Sequence, residues 1–102
     1  MKYPHYRPSA EMYLYEGDAS DASKAVREAA AAAESEGRKA GIIDFDGDID
    51  KAAKLFFKEL RRCDTEKVDV IYAAGVPDTG IGEAVMNRMR NAAGENIIIL
   101  NK

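Results

Sequence analysis

Residues 41–73 read GIIDFDGDIDKAAKLFFKELRRCDTEKVDVIYA, and the two apolar runs at its ends, with a helical period between them, decide the fold. Gly41-Ile42-Ile43-Asp44-Phe45 has the composition of a short strand. From Asp48 or Asp50, either of which can cap a helix, the apolar residues Ala52, Leu55, Phe56, Leu60 and Cys63 recur on one helical face. Val68 to Ala73 is a second strand, broken by Gly75 and Pro77. A strand, a helix long enough to cross back and another strand predict a parallel pair.

The same alternation extends both ways. Met12-Tyr13-Leu14-Tyr15 ends at Gly17 and predicts a strand. A helix follows, capped by Asp18 or Ser20, with Ala22, Ala25, Val26, Ala29, Ala30 and Ala33 on one face and Gly37 as its stop. Downstream, a helix starting near Asp78 or Thr79 places Ile81, Ala84, Val85, Met89 and Ala92 together and stops at Gly94. Ile97-Ile98-Ile99-Leu100 shows no polar alternation, which predicts a strand covered on both faces. The order β-α-β-α-β-α-β, with right-handed crossovers, implies a three-layer α/β/α Rossmann-like sandwich around a mostly parallel sheet of about four strands. Pro4 and Pro8 oppose helix in residues 1–10, which are expected to form an extended arm ahead of a single domain at 11–102.

Composition narrows the function classes. A chain of 102 residues suits one domain. With 46% hydrophobic and 32% charged residues it is an ordinary globular protein, and a net charge of −3 argues against direct nucleic-acid binding. The single cysteine, Cys63, permits no internal disulfide, so a reducing, cytoplasmic setting is expected, with Cys63 a buried thiol. No apolar run approaches the roughly 20 residues of a membrane span. An exposed edge strand would allow a homodimer.

Three constellations could carry chemistry. Asp44-Phe45-Asp46-Gly47 follows an apolar strand and resembles the first motif of haloacid-dehalogenase-type phosphohydrolases, where one Asp attacks phosphorus, a second handles the leaving-group proton and Mg²⁺ assists. The remainder of that pattern is missing. Asp48 stands where that family has Thr or Val, the strand ending Tyr72-Ala73-Ala74 offers no Ser or Thr, and no acidic pair follows the last strand. A calcium loop would need Glu at position 55, which is Leu. The simpler reading is a polar turn and helix cap. Gly80-Ile81-Gly82, between a strand and a helix, suggests a tight turn or an anion-binding, freestanding nucleotide module, with Asn87 and Arg88 nearby as further ligand candidates. His5, flanked by Tyr3 and Tyr6, lacks a catalytic partner at a telling spacing.

The arm MKYPHYRP resembles the linker motif of two-domain threonylcarbamoyl-AMP synthases. The segments Val68–Pro77 and Gly80–Arg88, and the helix Ala53–Arg61, are similar to the C-terminal domain of that family. The resemblance implies a non-catalytic, Rossmann-like accessory domain whose partner is a YrdC-type catalytic domain, in cis or in trans. That parent enzyme would join L-threonine, bicarbonate and ATP, with Mg²⁺, into threonylcarbamoyl-AMP and pyrophosphate for tRNA modification. No cofactor is expected in this chain. By the same resemblance Lys2, Tyr3, His5, Tyr6 and Pro8 would gate the catalytic pocket, while Pro4 departs from the basic residue common at its position.

Overall fold

The computed structural model describes residues 10–100. Seven elements alternate: β1 (Glu11–Glu16), α1 (Ala19–Ser35), β2 (Ala40–Ile43), α2 (Ile49–Glu66), β3 (Val70–Ala74), α3 (Ile81–Ala93) and β4 (Ile97–Ile99). All three strand pairings are parallel, and the order across the sheet is β2-β3-β1-β4. From β1 the chain crosses to one side of the sheet, and from β2 and β3 it crosses back the other way. Right-handed crossovers therefore place α1 on one face and α2 with α3 on the other.

Two cores result. Phe56 and Leu60 of α2, and Met86 and Met89 of α3, bury against Met12, Leu14, Ile43 and Ile71. On the opposite face Ala22, Val26, Ala30 and Ala33 of α1 pack on Val70, Tyr72 and Ala74. The small α1 side chains let that helix lie close over β3 and β2, and its contacts with the sheet fall mainly there.

The caps explain where each helix begins and ends. The Asp18 carboxylate accepts from the amides of Ser20 (3.0 Å) and Asp21 (3.3 Å), satisfying donors that the first turn leaves free. At the far end of α1, Arg38 N donates to Ala33 O and Gly37 N to Glu34 O, with Gly37 at φ 84°. That is a Schellman closure with glycine in the left-handed position. The end of α2 closes the same way, through Val68 N to Cys63 O and Lys67 N to Asp64 O. There a lysine holds φ 57°.

Several expectations are corrected. The helix expected to start near Asp78 or Thr79 starts at Ile81, behind Gly80, which makes no side-chain cap. Ile81 is 62% exposed and Ala84 is exposed, while Gly82 and Met86 face inward. The buried stripe of α3 runs through Gly82, Val85, Met86, Met89, Ala92 and Ala93. The last strand is not covered on both faces: β4 is an edge strand and Ile99 is 65% exposed.

The two sheet edges differ. On β2, Arg62 of α2 donates from Nη2 to the Ile42 carbonyl (3.3 Å), held in place by Glu59 and Glu66. That covers part of an open ladder that could otherwise pair with another chain. The β4 edge carries three isoleucines.

Candidate functional site

In an open parallel sheet, ligands gather where neighbouring strands send their chains to opposite faces. Here that point lies between β1, which leaves toward α1, and β3, which leaves toward α3. The crevice is spanned by an ion cluster. Arg90 of α3 donates from Nε to Glu16 Oε2 (2.8 Å) and from Nη2 to Glu16 Oε1 (2.9 Å) at the end of β1. The same Nη2 donates to Asp78 Oδ2 (3.0 Å) in the loop after β3. This bidentate fork is the strong form of a charge-assisted hydrogen bond. The bonds to Glu16 first, and to Asp78 next, push the Arg90 guanidinium further toward its charged form. Sequence reading missed this cluster. Glu16 and Arg90 stand far apart in the chain, and no local pattern joins them.

The Gly80-Ile81-Gly82 turn lies at the same end of the sheet. Gly80 adopts φ 57°, ψ −130°, a region open to glycine and strained for other residues. Gly82 is required by packing, because a β-carbon there would overlap the Pro77 carbonyl oxygen. Its amide donates to Thr79 O and that of Glu83 to Gly80 O, so two of the first amides of α3 are engaged within the turn. Glu83 in the first turn and Asp78 just ahead add negative charge. These features fit a packed entry to α3 better than a cradle for an anion.

Asn87 and Arg88 lie exposed on α3, away from the turn. Arg88 borders a shallow groove of about 250 Å³ between α2 and α3, with Ala52, Ala53, Phe56, Phe57 and Val85. The structure does not bring Asn87 and Arg88 together with Gly80 and Gly82 in one described cavity.

The acidic loop forms a turn and a cap. Asp44 Oδ1 accepts from the Asp46 amide (2.9 Å), and the Asp48 carboxylate accepts from Lys51 N (3.1 Å), opening α2. Asp44 is 10% exposed, and its Oδ2 lies 3.7 Å from Arg27 Nη2 without a hydrogen-bond partner. Asp46 is exposed at φ 54°. Among the described residues no group of three or more His, Cys, Asp or Glu side chains could hold a metal ion. The pair Asp44 and Asp46 therefore lacks the further ligands a phosphohydrolase centre would need for Mg²⁺, and that alternative is not favoured.

Cys63 is fully buried on the inner face of α2. Burial is the main reason its thiol is pushed up, against a smaller lowering by Arg62, so it is not an activated nucleophile. Its sulfur lies close to Gly41, where an added β-carbon would meet Sγ at 2.8 Å. Lys2, Tyr3, His5, Tyr6 and Pro8 lie outside the described residues.

The described residues form a small parallel α/β domain whose crevice is bridged by an ion cluster. The sequence profile of the C-terminal domain of threonylcarbamoyl-AMP synthase matches residues 1–94. The threonylcarbamoyl-AMP synthase of Pyrococcus abyssi is 41% identical over 96% of this chain, and that of Bacillus subtilis 33% identical over 96%. In each case the match spans 32% of the relative, so the chain covers about a third of their length. The crystal structure of P. abyssi Sua5 with L-threonine superposes with a TM-score of 0.86 at 42% identity, covering 99% of this chain and 33% of that one. A P. abyssi Sua5 variant with a neighbouring histidine and tyrosine both replaced by alanine gives 0.82 at 38% identity, covering 95% and 32%. The C-terminal Sua5 domain of Pyrococcus horikoshii gives 0.72 at 33% identity and is matched over 99% of its length by 91% of this chain. The chain belongs to the threonylcarbamoyl-AMP synthase C-terminal domain family.

Proposed function

We propose that this chain is the accessory domain of an L-threonylcarbamoyladenylate synthase and that residues 1–10 gate the active site of its catalytic domain. The partner is a YrdC-type domain that condenses L-threonine, bicarbonate and ATP, with Mg²⁺, releasing pyrophosphate. The observation that carries this reading is the match to the C-terminal domain alone, over residues 1–94 and about a third of each relative. His5 is the only histidine and is followed by Tyr6; the P. abyssi variant removes a neighbouring His–Tyr pair. An arm bearing Lys2, Tyr3, His5, Tyr6 and Pro8 can exclude water from a reactive carbamate and adenylate, as lids do elsewhere.

The test is threonine- and bicarbonate-dependent pyrophosphate release. It compares this chain, the catalytic domain, the two joined through Met1–Ala10, and the joined form carrying His5→Ala and Tyr6→Ala. Silence from this chain, and activity in the joined form that falls when the pair is replaced, is the expected outcome. Equal activity with and without this chain ends the gating reading.

A further inference from the structure

The two edges of the sheet are finished in different ways. A parallel ladder uses every second residue of an edge strand and turns the polar groups of the others outward. On β2, Val70 N donates to Lys39 O and Ala40 is in register with Val70, so Ala40 and Ile42 face out. Side chains from both helical layers meet them. Glu34 of α1 accepts from the Ala40 amide (3.0 Å), and Arg62 of α2 donates to the Ile42 carbonyl (3.3 Å). On β4, Leu14 N donates to Asn96 O and Leu100 N to Glu16 O, so Ile97 and Ile99 face out. The Ile97 amide turns back to Glu95 O (3.0 Å). Among the described residues no side chain bonds to the amide or carbonyl of Ile99, whose own side chain is 65% exposed. An edge without charge, proline or a covering side chain is a template for another strand.

We propose that β4 pairs antiparallel with β4 of a second copy of this chain, about a twofold axis through Ile99. The register follows from the open groups. Each Ile99 amide donates to the Ile99 carbonyl of the other copy, the mutual pair that an antiparallel ladder closes with both hydrogen bonds. A twofold through Ile98 would require the Ile97 amide, which Glu95 already holds. The same register matches side chains. Leu100 borders the α1-face core beside Tyr15, and Ile98 is in register with Tyr15. Across the axis each Ile98 stands opposite Leu100 of the other copy on that face, and Ile99 stands against Ile99 on the other face. Each of these cross-strand pairs is apolar, as stable antiparallel neighbours favour. A twofold contact closes on itself, and the guarded β2 edges end the joined sheet, so the product is a dimer and not a fibre. With three residues in β4, the contact is smaller than that of a permanent dimer, and pairing depends on concentration.

Sedimentation velocity and amide exchange read by NMR test this on the chain itself, from micromolar to millimolar concentration. The sedimentation coefficient is expected to rise with concentration. Exchange at the Ile99 amide is expected to slow about threefold or more over the same range, as mass action populates the bonded form, while the Ile42 amide at the guarded edge stays constant. Ile99→Pro removes an N–H that the fold's own ladder does not use and should sediment as a monomer throughout. Ile99→Lys sets like charges opposite one another across the axis and should do the same with the backbone intact. Ile42→Lys at the other edge should associate as the parent chain does. Thermal melts check that each variant is folded. A sedimentation coefficient independent of concentration overturns the proposal. So does association that survives both Ile99 variants, or that is lost in folded Ile42→Lys. An Ile99 amide that exchanges slowly at every concentration also overturns it, because the chain would then cover its own edge.

Discussion

The two faces of the sheet are built on opposite plans. Under α2 and α3 lie Phe56, Leu60, Met86 and Met89, all at 2% exposure or less. Under α1 the largest helix side chain in the core is Val26, among alanines. Apolar burial stabilises by about 25 cal/mol per Å², so most of the hydrophobic stabilisation sits on the two-helix face. The alanine stripe gives closeness instead of area. It holds α1 down while leaving β1 and β4 open beside it.

Truncating each face in turn should show the division. Phe56→Ala should cost about 3–5 kcal/mol in urea unfolding, and Val26→Ala about 2 kcal/mol. Equal losses would mean that the faces share the load. Next in size, Gly82→Ala should cost roughly 1–3 kcal/mol, because the Pro77 carbonyl must move to admit a methyl group. Gly37, with nothing within 4 Å of an added β-carbon, should lose only the conformational cost of about 1–2 kcal/mol. Thermal melts of the two variants separate packing from backbone strain.

Alkaline titration should read the faces separately. Burial raises the Cys63 thiol on the two-helix face and the Tyr15 phenol on the other, and a hydrogen bond to Glu11 raises Tyr13. A group raised in the folded state stabilises fully below its unfolded pKa and loses that contribution as pH climbs through the folded value. Stability should therefore begin to fall above about pH 8.5 for Cys63 and above about pH 10 for the tyrosines. Cys63→Ala should abolish the first decline and leave the second, as followed by urea midpoints across pH. The smallest effect is expected at Lys67, the left-handed residue closing α2. Lys67→Gly should gain up to about 1 kcal/mol by relieving a strained φ, and a loss there would show that the lysine makes a contact worth more.

Most of the fold was legible because each βα unit announces itself locally. Glycines and aspartates mark the turns, and apolar residues keep a period of two or 3.6. The places where reading failed are those decided at a distance. Ile97–Ile99 has the composition of an interior strand, yet strand order makes it an edge. In α3 the expected apolar face named Ile81 and Ala84, which the fold leaves exposed, while Asp78 ahead of it turns toward Arg90. The Arg90 cluster itself depends on strands far apart in sequence meeting at one crevice. Asp48 as a cap and Cys63 as a buried thiol were readable, since each follows from its immediate neighbours. The gating role expected of residues 1–10 rests on family likeness, and nothing in their own spacing points to it.

The adjacency of β1 and β3 has a consequence in time as well as space. Glu11 pairs with Val70 and Tyr15 with Ala74, so every rung at the centre of the sheet joins residues on either side of two helices and a strand. Closing such loops carries an entropic penalty before any contact repays it, which slows folding relative to a helical bundle of equal length. On a ribosome the first strand must wait, with Met12 and Leu14 unburied, until β3 has been made. In any chain where such a domain follows another, its late completion would give the preceding neighbour time to fold first.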